Sequence, residues 1–184
     1  MYLHNLFKLC VMFITAMGVE MLKAIVLAWL LLFIGDFLST FLYHIPEHVF
    51  GSLHLKTHHS GNKDFRHYAV LALNINVILD GVLGAIPYIL VGVFLWQFST
   101  SGVICGLILG QLHVWWRHTT ALGWQTPKWA NSLCQFLFIT TPERHWLHHE
   151  KTSVGYGDIF TVFEKPAKAW LSWLRLLKIH SQRI

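Results

Sequence analysis

Charge is what this chain has least of. Asp, Glu, Lys and Arg make up only 12% of its 184 residues, where soluble domains carry roughly 25%. So few charges cannot cover a water-facing surface, and 54% of the residues are apolar with a mean hydropathy of +0.48. A soluble domain, a disordered tail and a coiled coil are excluded, and a membrane is the expected solvent. Cysteine is scarce too. Cys10, Cys105 and Cys134 lie in separate apolar runs without a short metal-type spacing, which excludes a disulfide scaffold and reads as packed or lipid-facing thiols. The sequence has no G-x-G-x-x-G, P-loop, C-x-x-C, Ser/His/Asp triad or catalytic-cysteine signature, so nothing points to a nucleotide or a fused electron-donor domain. Repeats and linkers are also missing, and the length fits one domain over 1–184.

Hydropathy divides the chain. Residues 1–21 are apolar but carry Lys8 and Glu20. They lack a small-residue cleavage site, which argues against a removed signal peptide and for a short spanning or interfacial helix. Ala24–Tyr43 is the first strong span, about the 20 residues a bilayer needs, with Asp36 inside it. A polar stretch follows from His44 to His67. Residues 68–98 are apolar again, interrupted by Asp80-Gly81 and Pro87, and read as one kinked span or two pieces. An uncharged turn at 98–102 leads into 103–116, the second arm of a hairpin. Lys56, Lys63 and Arg66 lie in the polar stretch, nine basic residues lie from Arg117 onward, and the 98–102 turn has none. Both basic regions are therefore expected on the cytoplasmic face. A net charge of +5 placed this way suits an anionic membrane rather than nucleic acid. Residues 166–179 mix Trp and Leu with Lys168, Arg175 and Lys178, as in an amphipathic helix on that face. The expected fold is all-α: an integral-membrane bundle of three to four spans with a cytoplasmic, His-rich helical cap.

Histidine is in excess, with 13 against nine acidic residues. Three clusters hold most of it: His44-x3-His48, His54-x3-His58-His59 and His145-x2-His148-His149. Residues three and four apart share a helix face, and all three clusters fall on one predicted side of the membrane. Neutral imidazole binds iron, zinc, copper and nickel. Eight imidazoles exceed what one tetrahedral ion takes and suit two ions at about four each. His113, five residues before His118, is a further candidate ligand; the role of His118 is open. His4, His67 and His180 stand outside the clusters and read as ordinary histidines. Asp36, Glu47, Glu143 and Glu150 are candidate partners that orient imidazoles from behind.

Asp36, HIPEH at 44–48, HLKTHH at 54–59, RHWLHH at 144–149 and GYGDIF at 155–160 together resemble the fatty acid hydroxylase/sterol desaturase superfamily. The resemblance covers residues 36–171. It departs at Ile45, where many members have Arg, and at Leu55, where His54 stands one place early. It implies a lipid-metabolising oxidoreductase with a non-haem di-iron centre, O2 as co-substrate and electrons from a separate electron-transfer protein. The substrate would be a fatty acyl chain, a sterol or another lipid, hydroxylated or desaturated at an unactivated C–H. The bacterial carotenoid hydroxylases, of similar length, share the histidine logic. In this picture Tyr156 and Gly157 form a turn that closes over the site. A metal transporter or sensor is the alternative from another class, but transporters place ligands near the midplane on broken helices. Residues 180–184 carry no retention signal, which favours a bacterial inner membrane.

Overall fold

The computed structural model describes the backbone of residues 2–59, 61 and 64–183, and their side chains except those of residues 2–11 and 13. Lys63 and the side chains of His4 and Cys10 lie outside the described residues. Among those described, every regular element is helical, apart from an isolated bridge between Ile139 and Phe160.

Helix α1 (Tyr2–Ser39) has no charged residue between Ala24 and Gly35, so hydrophobic surroundings on every face suit that stretch. It does not stop at Ser39. A π turn over Thr40–His44 leads directly into α2 (Ile45–Val49). Pro46 lacks an N–H and cannot continue the regular ladder. The wide turn just before it, where the Ile45 N–H bonds back to Thr40 O, takes up one extra residue and lets the helix run on. Ile14–Val49 is long and apolar enough to cross a membrane. At about 1.5 Å per residue it rises about 54 Å, more than the roughly 30 Å hydrocarbon core. Residues 2–21 extend this helix without a break and form no separate crossing.

Two short helices follow, α3 (Leu53–Thr57) and α4 (Phe65–Tyr68). The next long helix, α5 (Ile75–Leu95), begins seven residues later than the start of the apolar run. Val70 adopts φ +58° in the turn before it, and Asn74 caps its first amides, accepting from Asn76 N at 3.0 Å. Pro87 and Asp80-Gly81 leave α5 whole. Gly81 is required there, because a Cβ would lie 2.7 Å from the Val70 side chain. α5 is the second helix long and apolar enough to span. Ser99 then caps α6 (Thr100–Arg117) through the Gly102 N–H at 3.1 Å.

α5 and α6 both pack along α1 and touch each other much less. The α1–α6 seam follows from Gly102, Gly106 and Gly110, one per turn. A Cβ on Gly102 would lie 2.8 Å from Ala24 O, and on Gly106 3.2 Å from Ala28. Small residues at this spacing let helices approach closely in lipid. The remaining helices are α7 (Lys128–Phe136), α8 (Pro142–Glu150) and α9 (Glu164–Ser181). α9, the expected surface helix, buries Ala167, Leu171 and Leu174 against Ile45 and Val49. Trp170 Nε1 donates to Phe41 O at 2.9 Å. Its other face, with Trp173, Leu176 and Ile179, is exposed.

Asp36 joins α1 to the 155–160 segment. It is fully buried and accepts from the backbone amides of Asp158, Ile159 and Phe160 at 3.1, 3.1 and 2.7 Å. These bonds cross more than 120 residues of sequence and fix the 155–160 segment on α1. Replacing Asp36 with alanine leaves three buried donors without their acceptor, at about 1–3 kcal/mol each. Asp36→Ala is therefore expected to lower the thermal unfolding midpoint of the detergent-solubilised protein by many degrees. An unchanged midpoint would contradict this anchoring role.

Candidate metal centre

Nine histidines converge in two groups. His44, His48, His54, His59 and His148 form one; His58, His118, His145 and His149 form the other. Within each group the ligand atoms lie within 4.8 Å of one another. The π turn presents His44, α2 presents His48, and α3 with its C-terminal turn presents His54, His58 and His59. His118 sits at the C-cap of α6, and α8 supplies the last three. Consecutive residues on a helix point about 100° apart, so each HH pair divides. His59 and His148 go to the first group, and their neighbours His58 and His149 go to the second. Two segments therefore feed both groups and hold them side by side, with the His54 and His58 rings stacked at 4.7 Å.

The proton positions follow from what lies behind each ring. His118 Nδ1 faces Val114 O at 2.7 Å, His148 Nδ1 faces Val154 O at 2.6 Å, and His54 Nδ1 faces Asp80 Oδ1 at 3.0 Å. Carbonyls and carboxylates only accept, so these nitrogens carry the proton and each Nε2 presents a lone pair. Those Nε2 atoms point inward. His44 and His148 Nε2 are 2.9 Å apart, His118 and His145 3.0 Å, His145 and His149 3.2 Å, and His58 and His118 3.3 Å. Two nitrogens each about 2.1 Å from one ion lie about 3.0 Å apart at a right angle and about 3.4 Å apart in a tetrahedron. The Nε2 atoms of His48, His54 and His59 are buried without a hydrogen-bond partner. The donor set fits two imidazole-bound transition-metal ions.

Burial, with the neighbouring imidazoles, holds His58 well below its ordinary pKa; burial, then Arg117 and the neighbouring rings, does the same for His145. Burial lowers His149 to about 3 and His148 to about 4. These rings are neutral at pH 7, the form that binds a metal. The unfolded chain takes up protons below about pH 6.5, whereas in the folded chain His148 does not until about pH 4 and His149 until about pH 3. Metal-stripped protein should thus lose stability as pH falls from about 6.5 toward 4.

The expected partner residues lie elsewhere than behind the rings. Asp36 clamps the 158–160 amides. Its neighbour Asp158 pairs with Arg117 Nη1 at 2.7 Å and faces His44 Nδ1 at 3.6 Å. Glu47 accepts from the backbone N–H of His54 at 3.2 Å and shapes the turn before α3. Glu143 binds Thr126 through its N–H and hydroxyl at 2.5 and 2.9 Å. Slight burial works against its ionised form, but those hydrogen bonds hold its pKa below the ordinary value. Glu150 is exposed. The carboxylate behind an imidazole is instead Asp80. It is 7% exposed, accepts from His54 Nδ1, from Thr57 Oγ1 at 2.8 Å and from the Tyr43 hydroxyl, and lies near His54 and His58. An aspartate inside an otherwise apolar span is the signal that marks it. Tyr156, fully buried, packs its ring 5.1 Å from His148 and 5.9 Å from His44. It forms a wall of the first group. His67 ties α4 to the end of α3 by donating from Nε2 to Thr57 O at 2.6 Å.

His113 lies in neither group; both of its ring nitrogens are buried without a partner. His118 takes the place beside His58, His145 and His149. His118→Ala should lower the metal bound per chain by about one ion. His113→Ala should leave it unchanged, as measured by elemental analysis of purified protein. The opposite pattern would refute this assignment.

The family model for fatty acid hydroxylases matches residues 6–168. No curated protein and no solved structure gives a significant match. The matched stretch contains all nine converging histidines, and the chain belongs to the fatty acid hydroxylase family, within the fatty acid hydroxylase/sterol desaturase superfamily.

Proposed function

We propose that the chain is an O2-dependent membrane oxygenase that hydroxylates or desaturates an unactivated C–H of a lipid at a di-iron centre. The observation that carries this reading is a cavity of about 460 Å³ that opens on His44, His54 and His58. From there it runs between α5 and α6, where those helices part. Gly81, Gly84 and Ala85 of α5 and Gly110 and Val114 of α6 line it, with Tyr43 on its floor. Exposed Ile78, Val82 and Ile89 edge it on one side and Leu107 on the other. An apolar molecule in the bilayer can enter such a cleft sideways and reach the histidines without crossing water.

The irons would be held by the two imidazole groups and, when bound, supply the activation of O2. The chain's own residues do the rest. Asp80 keeps the His54 proton on Nδ1, and Val114 O and Val154 O do the same for His118 and His148. The cleft walls exclude water and place the chain of the substrate beside the ligands. In this reading α6 is a third crossing, and the histidine end faces the cytoplasm, where the basic residues gather. O2 and electrons from a separate electron-transfer protein arrive from that side.

Purified protein loaded with iron, given a reductant and ¹⁸O2 in its native lipid extract, should convert a lipid to a species carrying one labelled oxygen or lacking two hydrogens. Gly84→Leu places a side chain in the cleft, where a Cβ already stands 3.8 Å from the Tyr43 ring. That variant should keep its iron and lose product at least about tenfold. Full product formation with the cleft filled, or none from the unmodified protein, would contradict the proposal.

A further inference from the structure

α7 buries no residue. Trp129, Leu133 and Phe136 repeat at i, i+4 and i+7, and share one face. They are 72%, 50% and 78% exposed. Leu122, Trp124 and Phe138 on either side are exposed as well. Lys128, Asn131 and Gln135 lie on the opposite face. Single exposed apolar residues need no explanation, but six large ones within residues 122–138 do.

The placement of α7 says what covers this face. Its two ends are fixed at the histidine end of the bundle. α6 stops at Arg117 with His118 in the second imidazole group, and α8 begins at Pro142 with the same group. α6 exposes Leu109, Leu112 and Trp115 just before that end, so the apolar surface facing lipid continues into Leu122 and Trp124. Between 118 and 142 there is no acidic residue, and Lys128 is the single Lys or Arg. Two tryptophans beside a lone cation at the end of a span are interface anchors. We infer that α7 lies flat in the leaflet on the histidine side, with Trp129, Leu133 and Phe136 among the acyl chains and Gln135 toward the headgroups.

The consequence reaches the metal centre. Only residues 137–141 separate α7 from α8, and they are pinned. Thr140 N–H donates to Ile159 O and Thr161 N–H donates to Phe138 O, both at 2.8 Å. The depth of α7 therefore sets the depth of His145, His148 and His149. This inference rests on the chain being a membrane protein and stands whether or not the centre is an oxygenase.

The test uses the full chain in nanodiscs of phosphatidylcholine and phosphatidylglycerol. Cys10, Cys105 and Cys134 are replaced by alanine, and a nitroxide is attached through Phe136→Cys or, separately, Gln135→Cys. Power-saturation EPR then compares relaxation by O2, which concentrates among acyl chains, with relaxation by a water-soluble nickel chelate. The expected result is a reversal: O2 dominates at 136 and the nickel chelate at 135. Nickel access at 136 equal to that at 135 would place the face in water. Shielding of 136 from both reagents would mean that protein covers it, a second copy or a partner. Either result overturns the inference. Trp129→Cys repeats the measurement on the same face should the label at 136 disturb insertion.

Discussion

Everything else in this fold serves one electrostatic problem: nine imidazoles, six buried and three half-buried, aim their nitrogens at one another. Neutral rings with lone pairs about 3 Å apart repel, and protonated rings in the same place repel more. A cation at the centre of each group removes the conflict, and the surroundings are arranged for that outcome. Burial keeps the protons off, and carbonyl or carboxylate acceptors behind His54, His118 and His148 hold the remaining proton on the outer nitrogen. The apolar bundle supplies the rigid frame. The glycine seam draws α6 onto α1, and the π turn carries α1 past Pro46, so that His44 and His48 both point at the first group.

The two groups cannot be assembled independently. The HH pairs at 58–59 and 148–149 each divide between them, and Asp80 has an oxygen within 4.8 Å of a ring nitrogen of His54, in the first group, and of His58, in the second. A shift of α3 or α8 disturbs both groups at once. Asp36 works against such a shift by fixing the 158–160 backbone, which carries Asp158 toward Arg117 and His44. The same segment places Tyr156 against the rings of the first group. The cavity between α5 and α6 opens on His44, His54 and His58, so the first and second groups are both reached from the side of the bundle.

Much of this was legible in the sequence, because histidine spacing and low charge are strong physical signals. The all-helical class, the two long apolar helices and the convergence of the three clusters follow from periodicity and composition; the turn expected at 98–102 falls at 96–99 instead, because Ser99 caps α6 and draws residues 100–102 into the helix. What was not legible depended on tertiary neighbours. His113 and His118 lie five apart on an amphipathic stretch, and spacing alone does not say which reaches the centre; the C-cap of α6 decides it. Asp80 was visible as a break in an apolar run, but its pairing with His54 needs α3 folded back on α5. Asp36 was conspicuous as a buried carboxylate, yet its acceptors' partners are backbone amides 122–124 residues away. The amphipathic pattern at 166–179 stood out, whereas α7 is nine residues long and its apolar face extends into flanking loops that have no period.

The central claim is that imidazole nitrogens alone bind two metal ions side by side. X-ray absorption at the metal edge of purified, iron-loaded protein tests it most directly. The account predicts two irons per chain and a first shell dominated by nitrogen at about 2.1 Å, with the outer-shell scattering of imidazole rings. A shell dominated by sulfur or by carboxylate oxygen, or a single ion per chain, would contradict it.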